Sequence, residues 1–197
     1  MDDAELRQVI ANVRNGDIES FEKIVHRYQK SIFYYCYHML GNYSEAEDMV
    51  QEVFLKAFRN LEQCNEEIPF GAWIYKIAYH QCIDMIRKRK LVKYLPFFYR
   101  DDKENKSVDQ QIEAHYFDEH VHKAMMKLSV EERNLLILRC VQDKSYQEIG
   151  FILNQNSTNL RKKYERTAEK FRKYYAQVKG VEEVDVEQPS RFEKTFS

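Results

Sequence analysis

This sequence predicts an all-α fold in two small helical domains, and three observations carry that reading. Only five Gly and three Pro punctuate 197 residues, too few for the many tight turns of an all-β chain. Apolar residues recur at helical spacing along most of the chain. Composition then changes abruptly near the middle: residues 87–100 carry six bases and no acid, whereas residues 101–119 carry seven acids and two bases. Pro96 and the polar run from Asp101 to Ser107 mark a linker between two folding units.

The helices follow in order. Leu6, Val9, Ile10 and Val13 form the inner stripe of a short first helix that Gly16 ends. A long helix from about Ile18 to Leu40 presents Phe21, Ile24, Val25, Tyr28, Ile32, Tyr35, Cys36 and Met39 along one face, and Gly41-Asn42 stops it. Ser44 and Glu47 have the spacing of a capping box for the next helix, which turns Ala46, Met49, Val50, Val53, Phe54, Ala57 and Leu61 inward. After a loop from Gln63 to Pro69, a helix runs from about Phe70 to Arg89 with Trp73, Ile74, Ile77, Ala78 and Met85 inward. These segments make domain 1–94, followed by a linker over 95–119. The linker lacks the apolar surface to offset chain ordering, so the two domains are expected to move independently unless a partner holds them.

The second domain is placed at 120–179. Ser129/Glu132 and Ser145/Glu148 repeat the capping-box spacing and start helices near Val130 and Tyr146. The polar break Asn154 to Ser157 then leads into a basic helix over about Thr158–Val178. A short helix, a brief turn and a longer basic helix outline a helix-turn-helix, whose second helix enters the major groove. Residues 180–197 read as an acidic tail without fixed structure.

Charge balance excludes little, since 31 Lys+Arg stand against 32 Asp+Glu. No apolar run reaches the ~18 residues of a membrane span, and the acidic start is unlike a signal peptide, so a cytoplasmic protein is expected. Cys36, Cys64, Cys82 and Cys140 are far apart and read as reduced thiols. His115, His120 and His122 lack a further ligand at useful spacing, so no metal or other cofactor is expected. No Gly-rich phosphate loop or GxSxG nucleophile motif is present, and an enzyme is not expected.

Three constellations remain. On the basic helix, Leu160, Tyr164, Ala168 and Phe171 form the buried stripe, leaving Arg161, Lys162, Glu165 and Arg166 outward. Arginine can fork onto guanine edges and glutamate can accept from cytosine, while Lys162, Lys163 and Lys170 are suited to phosphate. On the helix after Pro69, Lys76, His80 and Arg87 share the outer side, with Tyr79 beside them and Lys88 extending the charge. Bases beside exposed aromatics suit single-stranded DNA, but on these residues alone a core Trp with a basic helix C-terminus favoured by the dipole is the preferred reading. On the helix after Asn42, Asp48, Gln51, Glu52, Leu55 and Arg59 form one outer stripe, which by itself is an ordinary solvated face.

In order, these segments resemble extracytoplasmic-function sigma factors. The resemblance rests on Gly41-Asn42, Glu45 to Asp48 and Gln51 to Phe54, then Phe70, Trp73 to Ala78, Asp84 and Arg87-Lys88. Downstream it rests on Leu128, Arg133, Ser145-Tyr146, Glu148 to Gly150 and Leu153. It implies a first domain (sigma region 2) that grips RNA polymerase core and opens the minus-ten promoter element. It also implies a second domain (sigma region 4) that reads the minus-thirty-five element.

By this resemblance Asp48, Gln51, Glu52 and Leu55 become polymerase contacts. Lys76, Tyr79, His80, Arg87, Lys88 and the Gln63–Pro69 loop face melted DNA, and Asn159, Arg161, Lys162, Glu165 and Arg166 face the duplex. An anti-sigma factor is implied as a further partner. The sequence departs from the family's usual pattern at His80, where Asn is usual, and at Thr158-Asn159-Leu160 and Arg166-Thr167-Ala168. Two other readings stay open: a helix-turn-helix regulator that never touches polymerase, and a sigma mimic that sequesters an anti-sigma factor.

Overall fold

The computed structural model describes residues 1–65, 67–93 and 118–180, the side chains of residues 92 and 93 excepted. Helix α1 spans Asp3–Arg14 and begins in a capping box, Asp2 accepting from the N–H of Ala4 and Glu5 while the Glu5 side chain accepts from Asp2. A 3-10 turn at Ile18–Ser20 leads into α2, Phe21–Leu40. Gly41 ends α2 with φ of 70°, a left-handed conformation in which glycine carries no Cβ penalty.

Helix α3 spans Tyr43–Arg59 and its cap differs from the expected one. Asn42, extended after Gly41, accepts from the Glu45 N–H, so the helix starts before Ser44 can act as a cap. Helix α4 spans Phe70–Lys93. Its Pro69 carbonyl accepts from Ala72 and Trp73, a first turn in which proline's missing N–H is no loss. Ile24, Ile32, Val53, Ile74 and Ala78 are completely buried between α2, α3 and α4. Each large side chain of that set contributes about 1.5–3 kcal/mol by leaving water.

The second domain opens with α5, Glu119–Met126, capped by Asp118, two residues before the boundary expected from composition. Both predicted capping boxes form: Ser129 with Glu132 starts α6, Val130–Leu136, and Ser145 with Glu148 starts α7, Tyr146–Leu153. A π-helical turn at Ile137–Val141 widens the end of α6. Helix α8, Ser157–Lys179, follows a turn in which Asn154 is left-handed with φ of 54°. A Cβ on Gly150 would stand 2.8 Å from the Gln155 carbonyl, so only glycine lets the start of α8 cross α7 this closely. The helix-turn-helix is therefore formed. The readings of the linker and of the tail beyond Gly180 fall outside the described residues, apart from 118–119.

The two domains do not stand apart. Tyr35 of α2 donates to Asn134 of α6 at 2.7 Å, and Arg133 Nη1 donates to the Met39 carbonyl at 2.6 Å. The Tyr75 hydroxyl of α4 donates to Gln142, whose amide lies 3.4 Å from the Ser31 carbonyl. Gly41 lies against Met126 and His122 of α5. This corrects the expectation of independent domains. Arg133, Asn134 and Gln142 are polar, so hydrophobic periodicity gave no sign that they face another domain.

Candidate nucleic-acid and protein interfaces

The α3 stripe is where periodicity placed it. Asp48, Gln51, Glu52, Leu55 and Arg59 are all exposed, while Ala46, Met49, Val53, Phe54 and Ala57 are buried beneath them. Beside the stripe runs an open trough of about 890 Å³ between α2 and α3, lined by Ile18, Phe21, Val25, Val50, Leu55 and Phe58 among others. Ile18 is 65% exposed and Leu55 48% exposed, which is unusual for large apolar residues beside an otherwise well-packed core. Acidic and amide groups along an apolar trough suit a protein partner rather than DNA. The trough escaped the sequence reading, in which Val50 counted as inward and Phe58 was unassigned. A large aromatic just off the inner stripe was the available signal.

On α4 the five predicted DNA-facing residues are divided. His80, Arg87 and Lys88 are exposed, whereas Lys76 and Tyr79 are half-buried. The Lys76 ammonium lies 4.2 Å from the centroid of the Phe151 ring on α7. That contact corrects the picture of Lys76 and Tyr79 as a free outer face, because α7 packs along α4. It also explains why Tyr75, absent from the predicted inner face, is almost fully buried. Arg89 is not free either: it pairs with Glu45 and donates to the Leu40 carbonyl at 2.9 Å, closing the C-terminal end of α2. At the other end, Arg14 donates to the Leu61 and Cys64 carbonyls at 3.0 and 2.5 Å, tethering the start of the 63–69 loop to α1.

On α8, Asn159, Arg161, Lys162, Glu165 and Arg166 are exposed at the N-terminal half, opposite Leu160 and Phe171. Thr167, not Ala168 alone, completes the inner stripe by donating its hydroxyl to the Lys163 carbonyl. Glu165 lies 3.3 Å from Arg161, one turn away. Lys163 and Lys170 are turned inward to Glu131 and Glu132 of α6, both at 2.9 Å. In the free chain these carboxylates compete with the phosphate contacts expected of both lysines. Burial opposes ionisation of Glu132, yet Lys170 and the Ser129 cap outweigh it and its carboxyl sits below the usual range. His120 contacts Asp118, and His122 lies against Tyr37, so the histidine run is divided between two different environments.

A helical domain whose α3 shows an acidic and apolar face that no described residue covers, joined to a helix-turn-helix whose second helix exposes basic residues, has the architecture of a DNA-binding transcription protein. Comparison with known proteins makes the class specific. The family models for Sigma-70 region 2 and Sigma-70 region 4 match residues 24–92 and 118–171. The chain is 31% identical over 183 residues to the ECF RNA polymerase sigma factor SigW of Bacillus subtilis, covering 85% of this chain and 95% of that one. It belongs to the extracytoplasmic-function sigma factors, and directs transcription as a sigma factor.

Two solved structures share the fold. CnrH, solved in complex with the cytosolic domain of CnrY, superposes with a TM-score of 0.64 at 20% identity, covering 85% of this chain and 94% of that one. The sigma factor RpoE of Bartonella quintana, solved in complex with the anti-sigma factor NepR, gives 0.63 at 18% identity, covering 84% and 99%. Among the described residues no helix is long and apolar enough to cross a membrane.

Proposed function

We propose that the two domains divide the work of promoter recognition between a polymerase-binding surface on α3 and DNA-reading surfaces on α4 and α8. The observation that carries this is the exposed row of Asp48, Gln51, Glu52 and Leu55 along an apolar trough that neither domain fills. In this reading RNA polymerase core docks on that row. His80, Arg87 and Lys88, with Lys76 and Tyr79 once uncovered, meet the melted minus-ten strand. Asn159, Arg161, Lys162, Glu165 and Arg166 meet the minus-thirty-five duplex, their N-terminal position on the second helix of the motif being the one that reaches base edges. The chain acts by binding alone, without a catalytic step or a cofactor, in the cytoplasm, and an anti-sigma factor is its regulator. The presence of anti-sigma partners in the solved complexes of similar proteins supports that last assignment.

The Asp48→Ala/Glu52→Ala variant tests the core surface. Both side chains are exposed, so helical content should be unchanged while the affinity for purified core polymerase falls. Unaltered capture of core would remove the α3 row from the interface. A sigma mimic, by contrast, has no reason to keep a basic reading face on α8.

A further inference from the structure

We propose that Arg14 of α1 is a positioning residue for the melted promoter strand: by holding two carbonyls at the foot of the loop between α3 and α4, it aims that loop at an unpaired base. This role rests on the promoter-binding reading above and adds to it the residue that sets the loop.

Helix α1 has an attachment of its own. Leu6, Val9, Ile10 and Val13 are all buried and fasten it to the domain by an apolar stripe. The guanidinium in its last turn reaches elsewhere. Arg14 Nη2 donates to the Leu61 carbonyl at 3.0 Å and to the Cys64 carbonyl at 2.5 Å, 47 and 50 residues further along the chain. Leu61–Gln63 is a single 3-10 turn, closed by the Cys64 N–H on the Leu61 carbonyl at 3.1 Å. The chain is extended at Cys64, and among the described residues no backbone donor meets the Cys64 carbonyl. Arg14 supplies that donor. Its Nε is buried and makes no hydrogen bond among the described residues, so the two carbonyls alone orient the group.

The other foot of the loop is fixed independently. The Pro69 carbonyl accepts from Ala72 and Trp73, and the Phe70 ring lies 5.5 Å from Tyr28 and 5.4 Å from Trp73, centroid to centroid. Between the feet, the Asn65 side chain accepts from the Glu67 N–H at 3.0 Å. The loop is thus set by α4 on one side and by α1 on the other.

The side chains of the loop decide what it can read. Glu62, Gln63, Asn65 and Glu67 are exposed, and residues 61–69 include no Lys or Arg. Carboxylates repel phosphate, so this loop does not hold the backbone of a strand. They accept from the amino groups of bases, cytosine's among them, and the amides can do the same. The α4 face has the opposite character, with His80, Arg87 and Lys88 exposed. A strand whose phosphates follow α4 therefore offers its bases to the loop at the N-terminal end of that helix, about 15 Å from His80 at ~1.5 Å per residue. A hydrogen bond to a base edge tolerates a spread of only about 0.5 Å between its partners. A loop released at one foot samples more conformations, and each base contact must then meet that ordering cost.

Binding of the full chain with purified core polymerase to templates whose minus-ten segment is single-stranded and randomised tests this. The wild type should select a preferred strand. Arg14→Gln should lower affinity for that strand by about ten-fold, the loss of roughly one base contact. Its affinity for a scrambled strand, its core binding and its minus-thirty-five preference should be unchanged. Arg14→Lys, which keeps the charge and a donor, should recover part of the strand preference. Circular dichroism and the thermal midpoint establish that each variant is folded; should Arg14→Gln not fold, a smaller loss of preference in Arg14→Lys decides the matter in the same way. Equal losses on selected and scrambled strands, or an undiminished preference in a folded variant, would overturn the role and leave Arg14 as a structural tie. A wild-type chain that prefers no minus-ten strand would defeat the proposed function and this role with it.

Discussion

The Tyr35 hydroxyl and the Asn134 carboxamide meet at 2.7 Å between two side chains that are both completely buried, one in each domain. Burial pushes the Tyr35 phenol well above its usual range, so it remains a neutral donor at every physiological pH. Tyr35→Phe deletes the donor and leaves the Asn134 oxygen buried without it, which costs about 1–3 kcal/mol. Urea denaturation should show a loss of that size. Unchanged stability would mean that water or a shifted side chain replaces the hydroxyl.

His38 predicts how stability responds to acid. Its imidazole is 6% exposed at the C-terminal end of α2, and burial, helped by His122, lowers its pKa to about 4 from an ordinary value near 6.5. The folded state therefore binds this proton less readily than the unfolded state. Stability should be full above about pH 6.5 and fall as the pH drops towards 4, by up to about 3 kcal/mol from this group. His38→Gln should flatten the profile over that window. A wild-type profile that is already flat between pH 7 and 5 would show that His38 is protonated in place.

The basic helix is expected to divide into cations that meet DNA and cations that hold the domain together. Lys162 is exposed and forms no ion pair among the described residues, whereas Lys170 is tied to Glu132. Lys162→Ala should weaken duplex binding at low salt and lower the salt slope by about one, with little change in thermal stability. Lys170→Ala should show the reverse, lost stability with a nearly unchanged slope. Equal slopes for the two variants would merge the two classes.

Glu165 tests base reading. In the free chain it sits 3.3 Å from Arg161, a link worth only a few tenths of a kcal/mol, about 0.2–0.5, on an exposed helix. That leaves it available to a cytosine amino group at about 1–3 kcal/mol of discrimination. Promoter-library selection with Glu165→Ala should relax a G·C preference in the minus-thirty-five element. Identical selected sequences would leave Glu165 as an intrahelical partner alone.

Most helices were legible from sequence because apolar period and capping residues agree locally. Ser129/Glu132 and Ser145/Glu148 formed as expected, and the α3 stripe is exposed as its spacing required. The failures share a cause. Ser44/Glu47 had cap spacing, but the left-handed Gly41 places Asn42 in the capping position first. Lys76 was expected to be free and Arg133 carried no structural expectation, because periodicity reports a helix's own core and not the domain that covers its other side. Periodicity likewise gave no sign that α6 supplies Glu131 and Glu132 to Lys163 and Lys170 from outside the motif.

Transcription from genomic DNA fragments by purified core polymerase, with and without this chain, tests the central claim most directly. The account predicts transcripts with discrete starts that require the wild-type chain, and a fall of at least about ten-fold, the equivalent of roughly 1.4 kcal/mol, with Asp48→Ala/Glu52→Ala. Transcription no greater than that of core alone, or a variant as active as the wild type, would contradict it.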